Sequence, residues 1–180
     1  KRAGAVVRKL LAFQKHNVAQ PTRLDIVNAV TTLKPVLNHL FEHGSQLRLH
    51  LSDSPLEIHA DPTLVDQVIL NLIVNARDAI DESGTVTLSV DVVSYTSTAQ
   101  TRTGQIPPGE YVRIVVSDNG MGIEESVQDK IFEPYFSTKL EEGGSGIGLS
   151  TVATIVRKSH GYLDLVSAPG AGTSVAVYLP

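Results

Sequence analysis

The chain has 180 residues, of which 42% are hydrophobic and 19% charged, a globular composition that excludes disordered and fibrous classes. A formal net charge of −4 does not favour broad binding to nucleic acid, and the absence of cysteine rules out disulfides, thiol nucleophiles and cysteine metal sites. No stretch approaches the roughly 18 consecutive apolar residues of a membrane span, and no signal-peptide pattern is present. The abrupt start at Lys1-Arg2 is expected of a piece of something longer.

Residues 3–15 read as a helix, with Val6, Val7, Leu10, Leu11 and Phe13 on one side and no N-cap before them. Residues 18–24 contain Pro21 and few apolar anchors, and read as a linker. Asp25 caps the next helix, whose apolar set runs from Ile26 to Phe41. Pro35 falls inside that pattern and is expected to kink or split the helix, and Gly44 to stop it. A strand pair follows, at Leu47–Leu51 and Leu56–Ala60. Asp61-Pro62 opens a helix that runs to about Asp81 and ends by Gly84.

Thr85–Val93 alternates as a strand. Residues 95–109 are polar and read as an extended hairpin tip or flexible loop, before a strand over Tyr111–Ser117. Residues 118–146 are loop-rich. A helix is expected from near Gly146 to about Ser159, then strands near Leu163–Ser167 and Ser174–Leu179. Irregular mixing of strands and helices gives an α+β sandwich, with helices on one face of a mixed sheet.

Four segments carry chemistry. Asn71 and Asn75 are four apart in an apolar helix and share a face with Asp78. Buried amides need partners, so the pair is either a helix edge bonded to loop backbone or a ligand site. A neutral amide oxygen suits a hard cation such as Mg²⁺. Asp118-Asn119-Gly120-Met121-Gly122 follows a strand. It is either a tight Asn-Gly turn or an acceptor beside glycines that let a flat ring approach the backbone. Gly143–Leu149 opens a helix with glycines whose amides can face phosphate. It matches neither the Walker A pattern nor a dinucleotide fingerprint. Ile131–Lys139 places three aromatics in a glycine-flanked segment, suited to a lid or to ordinary packing. Of the histidines, His39 and His43 are four apart on a helix, but no third metal ligand accompanies them and solvent-facing positions are expected.

Together these segments resemble the catalytic and ATP-binding domain of two-component sensor histidine kinases, within the GHKL ATPase superfamily. The strings NLIVNARDAID, DNGMGI, IFEPYFSTK and GSGIGLS stand in the order and rough spacing of that family's nucleotide boxes, and GAGTSVAVYLP resembles its closing strand. The wording is nearest the hybrid or nitrogen-regulator-like subgroup. The resemblance covers about residues 22–180 and implies a two-layer α/β sandwich of Bergerat type, with a mixed, mostly antiparallel sheet packed on one face by helices.

The resemblance also implies roles. Asn75 would hold Mg²⁺ and Asn71 would face the ATP phosphates as the catalytic amide. Arg77 and Asp78 would line the pocket edge. Asp118 would bond the adenine amine, with Gly120, Gly122 and Ile123 shaping that end and Thr173 on its floor. Residues 124–145 would form the ATP lid, including Phe136, with Thr138 and Lys139 near the phosphates. Gly144, Ser145, Gly146, Ile147, Gly148 and Leu149 would form the phosphate-binding turn. Residues 1–17 resemble the end of the second helix of the dimerisation and phosphotransfer domain, leaving 25–180 as the catalytic domain. His16 is not placed as the phosphoacceptor is in the family.

The implied activity is transfer of the ATP γ-phosphoryl group to a histidine on a phosphotransfer domain that this chain lacks, so the fragment would not phosphorylate itself. Implied partners are that domain of the parent protein and a response-regulator receiver domain. No nucleic acid or membrane contact is expected of the fragment. The parent is expected to be a homodimer, cytoplasmic or anchored in the inner membrane. Two other readings stand beside this one: a GHKL-type ATP hydrolase clamp and a nucleotide-binding module without catalysis. Hydrolase relatives usually carry a glutamate where Asn71 stands, and an amide cannot act as general base on water. The departures are Pro35, Tyr162 where the family often has glycine, and the longer 95–109 insertion.

Overall fold

The computed structural model describes residues 20–41, 44–101, 103–136 and 146–180. The expected helix over 3–15 lies outside them. In chain order the elements are β1 (Thr22–Asp25), α1 (Ile26–His39), β2 (Gln46–Leu51), β3 (Glu57–Ala60), α2 (Pro62–Ala79), β4 (Thr85–Tyr95), β5 (Ala99–Thr101), β6 (Gly104–Ile106), β7 (Gly109–Asp118), α3 (Glu125–Gln128), α4 (Gly148–Lys158), β8 (Tyr162–Ser167) and β9 (Thr173–Leu179).

Period-two alternation in β2, β4, β7, β8 and β9 sends one set of apolar residues to one side, and these strands form a single sheet. Its order is β2-β4-β7-β9-β8. The β2–β4 pair is parallel and the other pairs are antiparallel. This is the mixed, mostly antiparallel sheet that was expected. Val86, Leu88, Ile114, Val116, Val175 and Val177 face the helices and join one core with Ile26, Val30, Leu37, Ile69, Leu72, Ile73 and Val152. Burying each such side chain is worth about 1.5–3 kcal/mol.

Helix α2 is the centre of the helical layer. Asp61 caps it, its carboxylate accepting from the Thr63 and Leu64 amides, with Pro62 at the first turn. The helix packs against the sheet, α1 and α4 and is apolar nearly all round, as a buried helix must be.

Several expectations are corrected. Residues 18–24 are not linker throughout, because Thr22–Asp25 pairs antiparallel with β3. Strands β2 and β3 are not a pair: one joins the main sheet and the other joins β1. Pro35 does not split α1, which runs through it. Pro35 and Thr31 are both exposed, so the carbonyl that loses its intrahelical donor is on the solvent side. Helix α1 stops at His39, before Gly44, and α2 stops at Ala79, before Gly84.

The 95–109 stretch is an ordered excursion. Strands β5 and β6 pair as a small hairpin, which folds back on the far face of the sheet. Fully buried Ile106 packs there with Tyr111 and Tyr178. The Tyr111 ring meets Tyr162 edge-on, with centroids 5.7 Å apart. Its hydroxyl donates to the Pro107 carbonyl (3.1 Å), and the Thr103 hydroxyl donates to that of Leu163. Arg113 makes a two-pronged contact to Asp91, at 2.8 and 2.6 Å. Among the described residues no helix is long and apolar enough to cross a membrane.

Candidate functional site

A cavity of about 200 Å³ opens between α2, the ends of β7 and β9, and the start of α4. Its floor is apolar, with Leu72, Val116, Ile131 and Val175 among its residues. Three polar groups of α2 enter it: Asn71, Asn75 and Asp78. Their spacing puts them along one helical face, as the sequence predicts. Asn71 is only 9% exposed, and no hydrogen bond among the described residues engages the side chain of Asn71 or Asn75. Neither amide is sealed from solvent, so both stay open through the cavity to water or a ligand.

The other end of the cavity is built at the antiparallel Asp118↔Thr173 register of β7 and β9. Asp118 Oδ1 accepts from the Gly120 amide (2.9 Å) and the Thr173 amide (3.2 Å), which fixes the carboxylate. Two glycines at this end of the cavity allow no side chain. A Cβ on Gly122 would stand 1.9 Å from the Ala168 carbonyl oxygen, and φ there is +70°. A Cβ on Gly172 would stand 2.0 Å from the Asp118 carbonyl oxygen. The Met121 amide donates to the Ala79 carbonyl (3.1 Å) and Asn119 Oδ1 accepts from the Thr85 amide (2.7 Å), so the turn is stitched to the end of α2. Asn71 and Ala79 are eight residues apart on α2, which separates the two ends by about 12 Å.

Helix α4 begins at the cavity. A Cβ on Gly148 would lie 3.3 Å from the Asn75 amide atoms, so the first turn of α4 abuts that side chain. The unpaired amides of a helix start and its partial positive charge favour an anion there. Tyr135 takes a left-handed φ of 65°, and its amide donates to the Gly146 carbonyl (3.1 Å), which ties the aromatic segment to the entry of α4.

Of the residues singled out in the sequence, Asn71, Asn75, Asp78, Asp118, Gly122, Ile123, Phe136, Gly146, Gly148, Leu149 and Thr173 line this cavity. Arg77, Gly120 and Ile147 are not in its wall. Arg77 pairs with its neighbour Asp78. Gly120 lies against the Ala79 carbonyl, and Ile147 is 48% exposed. Thr138, Lys139, Gly144 and Ser145 lie outside the described residues. Sequence reading missed the apolar floor and Met121, together with Gly172, whose glycine-rich turn was a usable signal.

A carboxylate acceptor at one end suits an N–H donor on a flat ring. The free amides and helix start at the other end suit an anion with a hard cation. Among the described residues no cluster of three or more His, Asp or Glu could hold a metal. The amide oxygens of Asn71 and Asn75 are neutral hard donors of the kind Mg²⁺ accepts beside water and anionic oxygens.

Residues 60–180 match the family described as "Histidine kinase-, DNA gyrase B-, and HSP90-like ATPase", a stretch that contains the whole cavity. The chain is 35% identical over 179 residues to Sensor kinase CckA of Brucella abortus (strain 2308), covering 99% of this chain and 19% of that protein. It is 35% identical over 187 residues to Sensor histidine kinase ZraS of Escherichia coli (strain K12), covering 99% and 35%. The chain thus spans about a fifth to about a third of these relatives. The solved structure titled "Mycobacterial sensor histidine kinase MprB" shares the fold, with TM-score 0.68 and 24% identity over 91% of this chain and 97% of that one.

Proposed function

The chain belongs to the histidine kinase-, DNA gyrase B- and HSP90-like ATPase family, as the catalytic domain of a sensor histidine kinase, and on that premise we propose that it binds Mg-ATP in the α2–α4 cavity and donates the γ-phosphoryl group to a histidine of a separate phosphotransfer domain. The observation that carries this reading is the pair Asn71 and Asn75, whose side chains have no partner among the described residues, with Asn75 against the start of α4 and both in the cavity that Asp118 also lines.

Asp118 accepts from the adenine amine, and Gly120 and Gly122, packed tightly against the Ala79 and Ala168 carbonyls, hold the turn beside it in place. Thr173 supports the same end. The apolar floor holds the ring and excludes water. Asn75 would hold Mg²⁺, which neutralises phosphate charge when bound. Asn71 donates its amide N–H to phosphate oxygens. The acceptor imidazole attacks the γ-phosphorus, an N–P bond forms, the bond to the bridging oxygen breaks and ADP leaves. Positioning and charge neutralisation supply most of what this reaction needs. An amide at position 71 provides no base for water, which favours transfer over hydrolysis.

We assign residues 124–145 to a lid and residues 25–180 to the catalytic domain, joined by β1 through its pairing with β3. Residues 1–17 are assigned to the end of the dimerisation helix. The proposed partners are the parent's own dimerisation and phosphotransfer domain and a receiver domain, with the parent a homodimer and the catalytic domain in the cytoplasm.

Calorimetric titration with AMP-PNP, with and without Mg²⁺, tests the reading. Saturable one-to-one binding that strengthens with Mg²⁺ is expected, and Asp118→Asn should weaken it by about tenfold or more, the scale of one charge-assisted hydrogen bond. No binding at millimolar nucleotide overturns the proposal. Unchanged affinity in Asp118→Asn removes the base-reading role alone.

A further inference from the structure

Gln128 closes α3 in a run of charged residues, yet it is 2% exposed. Its Nε2 donates to the Ile123 carbonyl (2.7 Å) and the Ser167 carbonyl (3.1 Å). Two carbonyl acceptors fix which end of the amide carries the nitrogen. Its Oε1 is then buried with no hydrogen-bond partner. An apolar side chain of the same length would avoid that orphan, so everything this amide contributes comes through Nε2.

What Nε2 holds leads straight to the base end of the cavity. Ile123 lines the cavity, and its amide donates to Ser167 Oγ (2.9 Å). Ser167 Oγ in turn lies 3.0 Å from the Gly172 carbonyl oxygen and 2.9 Å from Thr173 Oγ1. The Thr173 amide donates to Asp118 Oδ1. One connected set of hydrogen bonds therefore runs from α3 to the carboxylate at the end of β7.

We infer that Gln128 is a positioning residue of the nucleotide site: it clamps Ile123 to Ser167, and through them fixes where Thr173 and Asp118 stand to meet the base. This rests on the cavity being a nucleotide site. Gln128 touches no ligand and acts only through the residues it holds.

The test uses Gln128→Met, which keeps the length and removes both the clamp and the orphan oxygen, and Ser167→Ala, which cuts the same set one step later. In Gln128→Met the melting temperature is expected to stay level or rise. AMP-PNP affinity should fall about tenfold, the scale of one or two lost hydrogen bonds, and the preference for AMP-PNP over GMP-PNP should narrow. In the ligand-free protein the amide resonances of Gly120, Ile123 and Thr173 should shift. Ser167→Ala should do the same, and the double variant should lose little more than the worse single one, since both break one chain.

Unchanged affinity, selectivity and resonances in Gln128→Met overturn the inference. So does an affinity loss that merely tracks a lowered melting temperature with selectivity intact. If the unaltered chain fails to bind AMP-PNP, the nucleotide reading fails instead, and the ligand-free resonances still decide whether Gln128 holds Asp118 and Thr173 in place.

Discussion

The two faces of the sheet handle polar groups in opposite ways. On the far face, the tyrosine cluster under the β5–β6 hairpin is bonded internally: Tyr111 to Pro107, Arg113 to Asp91, Thr103 to Leu163. On the helical face, Asn71 and Asn75 enter an apolar cavity with no partner among the described residues. Tyr111 on one face and Asn71 on the other are both buried and incur a desolvation cost, whereas Arg113, Asp91 and Thr103 keep contact with solvent. Where the protein offsets that cost itself, the group serves structure. Where it does not, the group is kept for a ligand.

The largest effect is expected at the turn after β7, beside the cavity. Gly122→Ala would place its Cβ 1.9 Å from the Ala168 carbonyl oxygen at a left-handed φ. Overpacking and backbone strain together should cost about 2–4 kcal/mol in urea denaturation. Nucleotide affinity should fall by about tenfold or more, because relieving the clash displaces a residue of the cavity wall. Affinity within a few-fold of the parent chain would mean that the turn does not shape the site.

Asn71→Leu sharpens the contrast. Removing an amide without a protein partner should raise unfolding free energy by about 1 kcal/mol while phosphoryl transfer to an added phosphotransfer domain is lost. A marked fall in stability would break the comparison, because it would make the amide structural.

The smallest effect belongs to the far face. Burial, then the neighbouring Tyr95 and Asp164, push the Tyr178 hydroxyl up to about 12. The folded state therefore holds this proton more tightly than the unfolded chain does. Its contribution is complete below about pH 10, the usual tyrosine value, and is lost as pH climbs through about 12. Tyr178→Phe should flatten the fall in melting temperature over that window, cost about 1 kcal/mol at neutral pH, and leave nucleotide affinity unchanged. A shift in affinity would couple the two faces.

Much of this was legible in the residues. Alternation marked the strands of the main sheet, Asp61-Pro62 the start of α2, and the 71/75/78 spacing the polar face of the cavity. The failures have physical causes. Thr22–Asp25 holds one apolar residue, and its strand character comes from pairing with a segment over thirty residues away. The 96–108 stretch has Ile106 as its main anchor, and the tyrosines that bury it come from four other positions in the chain. Leu72, Val116 and Val175 line the cavity, but their periodicity is that of any core residue. Gln128 sits beside charged neighbours, and only packing reveals its burial.

The parallel pairing of β2 with β4 has a consequence for how the cavity breathes. Parallel neighbours cannot be joined by a tight turn, and here the connection between them contains α2 itself. The helix that carries Asn71 and Asn75 is thus threaded into the sheet's own connectivity and packed on both flanks. Local opening of α2 strips the core from under β4 and β7, so it costs nearly as much as global unfolding. The Glu124–Phe136 wall is held by the bonds of Gln128 to Ile123 and Ser167 and by Ile131 in the core, with short turns between them. Traffic into and out of the cavity therefore passes over a floor that is as stable as the fold itself.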